Sequence, residues 1–168
     1  MTISMHSASA PVFVRMLDNM TEWLLKAKAH AEAKPFSTDV YLQLRLAPDM
    51  LPLPRQIQIC SDAAKGCIAR LAGQAAPSFE DNEATLDELI ERLRKTRDYV
   101  LSVPAEAVDG SEAREVSIPR RNGEPFKFSG IDYLRHFALP NFYFHAGMTY
   151  ALLRQAGVPL GKMDYLGA

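Results

Sequence analysis

Neither sign of charge dominates this sequence: nineteen lysines and arginines stand against 20 aspartates and glutamates, leaving a net charge of −1. Without a basic surplus there is no electrostatic footing for a polyphosphate backbone, so nucleic acid is not an expected partner. Apolar residues are not in excess either. At 48% hydrophobic and 23% charged, the chain has the balance of a globular protein, which argues against both disorder and a membrane protein. Residues 1–10 carry no basic start and no apolar stretch of the signal-peptide kind, so the expected address is the cytoplasm. There are only two cysteines, Cys60 and Cys67. Seven residues apart on a helix, their Cα atoms would be about 10 Å apart, too far for a disulfide, and the pair reads as two small buried thiols. Glycine-rich phosphate loops, a nucleophile elbow, HExxH and CxxC are all missing.

What remains is a chain of 168 residues, the size of one domain spanning residues 1–168. A chain this long buries roughly 70% of its unfolded surface and needs neither disulfide nor metal to hold together. Phe13, Met16, Leu17, Met20, Trp23, Leu24 and Ala27 recur at helical spacing, with Ser9 as a cap and Pro11 tolerated in the first turn. This first helix should stop before Pro35. Residues 37–46 suit a short helical turn before the connection that holds Pro48, Pro52 and Pro54. From Pro54 to Ala72 a second helix buries Ile57, Cys60, Ala64, Cys67, Ile68 and Leu71 and closes at Gly73. Its other side, Ile59, Asp62, Ala63, Gly66 and Ala69, is small, as a helix contacted on two sides requires.

Thr85 and Glu88 form a capping-box pattern ahead of a third helix that ends before Pro104. The sign-alternating run from Glu88 to Asp98 reads as its exposed face. Alternation about Val116, Ile118, Phe126 and Phe128, with the Asn122-Gly123 turn dipeptide between, predicts a small hairpin over residues 114–128. Ser129 and Asp132 open a fourth helix from Gly130 to Ala156, bent at Pro140 and closed by Gly157. The expected architecture is all-α: an up-and-down-type four-helix bundle with a small β-hairpin before the last helix. Either the connection 73–82 or the connection 104–129 is long enough for a crossover.

The fourth helix holds the candidate chemistry. Asn141 and His145 lie one above the other with Leu134, Met148 and Leu152, whereas His136 faces the opposite way. The run HAGMTYALLRQAGVPL from His145 to Leu160 resembles the last helix of the DinB/YfiT-like superfamily. The chain as a whole is similar to a bacterial branch of it, a domain of unknown function. That similarity rests on RLAPDM (Arg45 to Met50), DAAKG (Asp62 to Gly66), RLAG (Arg70 to Gly73), FEDNEAT (Phe79 to Thr85), PNFYFH (Pro140 to His145) and GVPLGKMDYLG (Gly157 to Gly167). The resemblance implies a four-helix bundle and, in the wider superfamily, a metal held by one histidine of the second helix and two of the fourth. This sequence departs there: Asn141 occupies the place of the earlier fourth-helix histidine, and the second helix has no histidine, Asp62 being its nearest candidate.

Three readings of Asp62, Asn141 and His145 follow. They line a metal-free pocket for a small molecule, with Asp62 fixing the His145 tautomer so that the other ring nitrogen serves as a base. Alternatively they hold a divalent metal, a hard ion such as manganese or magnesium better than zinc or nickel, in an enzyme of thiol-transferase or hydrolase type. Or they satisfy one another in a polar core with no ligand. The first is preferred, with no cofactor expected. Gln56 and Lys65 read as solvated, Arg45 and Asp49 as a local ion pair, and Phe142, Tyr143 and Phe144 as core or as the surface of a homodimer.

Overall fold

The fold is taken from a computed structural model, which describes residues 3–120 and 122–167. The first helix, α1 (Ala10–Ala33), buries Phe13, Leu17, Met20, Trp23, Leu24 and Ala27, as the spacing predicts. Ser9 stands at its N-cap position but does not cap it. Pro11, in the first turn, has no N–H to offer, and the Ser9 hydroxyl instead donates to the Met5 carbonyl at 2.6 Å. A single turn, α2 (Asp39–Leu42), buries Tyr41. The second long helix, α3 (Leu53–Leu71), ends where Gly73 takes a φ of +72°, and α4 (Leu86–Ser102) starts on the expected capping box. There the Glu88 N–H donates to Thr85 Oγ1 at 3.2 Å, and Glu88 Oε2 accepts from the Thr85 N–H at 3.0 Å.

After one more turn, α5 (Ala105–Val108), strands β1 (Glu115–Ile118) and β2 (Phe126–Ser129) pair antiparallel, Glu115 opposite Ser129 and Ile118 opposite Phe126. Residues 119–125 connect them, so Asn122-Gly123 lies inside a longer loop and is not a two-residue hairpin turn. The last helix is continuous through α6 (Gly130–Tyr133), a π-helical turn (Leu134–Ala138) and α7 (Leu139–Gln155). Pro140 has no N–H and its ring crowds the preceding turn; the wider π turn, in which the Leu139 N–H donates to the Leu134 carbonyl, lies just before it. A short α8 (Lys162–Leu166) folds back on α1, where the Trp23 indole N–H donates to the Asp164 carbonyl at 3.0 Å.

Around the bundle, α1 packs on α4 and α7, and α3 packs on α4 and α7. Contacts between named residues fix the directions. Lys28–Asp87 and Arg97–Asp18 run α1 and α4 antiparallel, while Phe13–Phe142 and Trp23–Tyr150 run α1 and α7 parallel. Cys60 meets the Phe142 carbonyl and Gln56 meets His145, so α3 opposes α7. The order is therefore up-down-down-up and not simple alternation. The parallel pair α3 and α4 needs a connection running the length of the bundle, and residues 72–85 supply it.

That crossover lies back along α3, held by one arginine. Arg92 of α4 has a side chain only 1% exposed; it donates to the Glu80 carbonyl at 3.0 Å, to Glu83 at 2.8 Å, to Asp81 at 2.9 Å and to Asp62 at 3.0 Å. The charged run 88–98 is thus not wholly an exposed face. Phe79 lies beneath the cations of Lys65, Arg92 and Lys95, with centroid distances of 4.9, 5.7 and 4.5 Å. Lys65, expected in solvent, is 7% exposed because the crossover covers it. Arg45 and Asp49 make no ion pair in the structure; Arg45 reaches the Met50 carbonyl at 3.4 Å. Among the described residues, no helix is long and apolar enough to cross a membrane.

Candidate functional site

His145 is buried on α7, 9% exposed, and its partner is Gln56, not Asp62. The Gln56 amide nitrogen donates to the Leu51 carbonyl at 2.9 Å, which turns Oε1 toward the ring, 2.7 Å from His145 Nδ1. An amide oxygen only accepts, so the neutral ring carries its proton on Nδ1 and keeps the Nε2 lone pair free. Nε2 has no hydrogen-bond partner among the described residues. Burial pushes the His145 pKa below its ordinary value, so the ring is neutral at pH 7. Gln56 is 2% exposed and not solvated as its place in the sequence suggested. The first turn of α3 is covered by α7, and no spacing within α3 alone announces that.

Asp62 is half-exposed on α3, and its carboxylate is already engaged by Lys65 at 2.9 Å and Arg92 at 3.0 Å. It makes no contact with His145 that would orient the ring. Asn141 lies one turn before His145 on α7 but bonds to neither residue. The three candidates are therefore not drawn into one ligand set. A cation placed among them would share Asp62 with the Lys65 ammonium and the Arg92 guanidinium and would add only one imidazole and one neutral amide, so the donor set does not fit a metal. Among the described residues, no group of three His, Cys, Asp or Glu side chains is arranged to hold one.

Two of the three, Asp62 and Asn141, do line one space. A cleft of about 150 Å3 opens between α3, the hairpin and the π turn, with Ile59 and Ala63 of α3 facing Ile118 of β1 and Phe137 and Ala138 of the last helix. Its polar groups are Asp62, Arg70, Tyr133 and Asn141. His145 lies outside it. Tyr133 is 2% exposed, its phenol accepts from Arg70 Nη1 at 3.2 Å, and burial pushes its pKa up to about 12. Gly66, a helix-interior glycine of the kind that costs about 1 kcal/mol against alanine, has a structural reason here. A Cβ on it would come within 2.4 Å of Arg70 Nη1, so its bare backbone is the floor on which the guanidinium rests. Arg70 and Tyr133 were missed by sequence reasoning; the one available signal was a glycine four residues before an arginine inside a helix.

A depression of about 490 Å3 elsewhere is larger, but it is a furrow over the crossover, walled by Phe79, Arg92, Lys95 and the carboxylates Glu80, Glu88 and Glu91. Arg92 already engages four acceptors, and Glu88 is spent on the α4 cap. Cys60 and Cys67 are both free and buried, and burial raises both thiols well above their ordinary range.

A four-helix bundle with this hairpin and a last helix widened by a π turn defines a DinB-like protein. The crystal structure of a DinB family member protein from Shewanella denitrificans matches it with a TM-score of 0.87 at 37% identity, covering 97% of this chain and 92% of that one. The family model described as a domain of unknown function (DUF1993) matches residues 5–166, and the chain belongs to that family. Among curated proteins, none matches the chain.

Proposed function

We propose that this DinB-like bundle is a small-molecule-binding protein and that its ligand sits in the cleft between α3, the hairpin and the π turn. The observation that carries this reading is the cleft's construction. Three separate elements contribute apolar walls, and polar groups from α3 and the last helix converge on the same small volume, the usual make-up of a ligand site. Its residues suit binding better than proton transfer: Tyr133 stays protonated far above neutrality, and Asp62 is tied to two cations. The poised base of the molecule, His145 Nε2, lies outside the cleft. A reaction through a His/Asn/Asp metal site finds no support in this geometry, because Asp62 is held by Lys65 and Arg92, His145 by Gln56, and Asn141 bonds to neither of them.

The test is a ligand-observed NMR screen of small neutral and charged organic molecules against wild type, Ala63→Phe and Ile118→Trp. Both substitutions fill the cleft from half-buried positions on different elements. Hits that bind wild type and are lost in both variants are expected; hits retained by both would place binding elsewhere.

A further inference from the structure

We infer that the cleft takes the carboxylate of a small organic monoanion, with Arg70 as the anion-binding group. This rests on the cleft being a ligand site and adds the chemistry of the ligand. The Arg70 guanidinium has five N–H donors, and among the described residues its one hydrogen bond goes to the neutral phenol of Tyr133. No carboxylate is paired with it there. The other charged group of the lining, Asp62, is paired through Oδ1 with Lys65 and Arg92, so its charge is met by cations other than Arg70, which itself has no paired carboxylate among the described residues. Gly66 lets the Arg70 charge lie flat against α3, where it borders the cleft, instead of swinging into solvent. The planar fork of a guanidinium matches a carboxylate with two parallel hydrogen bonds. Asn141, from the last helix, offers an amide to a second polar group, while Ile59, Ile118 and Phe137 leave room for a short apolar body. The volume of about 150 Å3 limits that body to a few carbons or one ring.

The experiment is isothermal titration of wild type, Arg70→Gln and Gly66→Ala with acetate, butyrate and benzoate, and with acetamide, butyramide and benzamide as uncharged counterparts. Gly66→Ala is the informative variant: alanine favours the helix, so the fold is retained, while the new methyl group displaces the guanidinium from its floor. At least one carboxylate should bind wild type at least about tenfold more tightly than its amide. Both variants should erase that preference, the carboxylate losing more affinity than its amide. Equal affinity for acid and amide, or a preference that survives in both variants, overturns the inference; neutral compounds that still bind in the cleft would leave the binding reading standing. If no compound of either kind binds wild type, the inference fails, and a failed screen alongside it removes the binding reading too.

Discussion

His145 is oriented by an amide and not by a carboxylate, and its response to pH follows from that. Burial lowers the ring's pKa, and Gln56 supplies no negative charge to restore it. Below pH 6.5 the unfolded chain therefore binds a proton that the folded chain resists. The associated stability is fully present above pH 6.5 and is lost as pH falls toward the lowered folded value. Urea-unfolding midpoints of wild type and His145→Gln between pH 7.5 and 5 check this: the wild-type midpoint should fall more steeply, and parallel curves would contradict it. The thiols make a second residue-scale case. Cys60 and Cys67 are wholly enclosed, so a thiol reagent should label both at the rate of global unfolding; fast labelling of either in native buffer would show an opening the structure lacks. The shared face of Asn141 and His145 was legible because helical periodicity alone determines it. Gln56 was not, because a glutamine in the first turn of an amphipathic helix looks the same whether water or another helix covers it.

At the scale of elements, the crossover of residues 72–85 depends on Arg92. Burial alone would raise the Glu83 carboxyl, but hydrogen bonds from Arg92 and Gln58 outweigh it and hold Glu83 below its usual range. Arg92→Met removes the shared partner of Asp62, Asp81 and Glu83; the two aspartates are exposed and keep Lys65 and Arg55, so the cost falls on Glu83, whose side chain is only 9% exposed. The expected loss is about 2 kcal/mol, read from the urea midpoint. A loss under about 1 kcal/mol would mean that the crossover is held mainly by Phe79 and the two lysines. The helix limits themselves were written in the chain: the Thr85 cap, Gly73, Pro35 and Ser129 all act within a few residues of their own position. The burial of Arg92 was not, since alternating charge marks an exposed face until a distant loop folds over it. Pro140 likewise signalled an irregular helix, but whether it would bend or widen depended on the neighbours it packs against.

The whole molecule adds what no single helix contains. Four amphipathic helices of similar length are compatible with several circuits, and the up-down-down-up order is set by which stripes fit together and by a connection long enough to span the bundle. The cleft is a product of that order: α3, β1 and the π turn are far apart in sequence, and only the assembled fold places Ile59, Ile118 and Asn141 around one space. The same assembly separates His145 from Asp62, which a helix-by-helix reading could not foresee. Whether this cleft receives a small molecule is decided by mapping the screen's hits onto the protein itself through methyl and amide NMR shifts. Ile59, Ile118 and the Asn141 side-chain amide should move together and saturably. Shifts clustered instead on the Phe79 furrow or around His145, with those three groups unmoved, would contradict it.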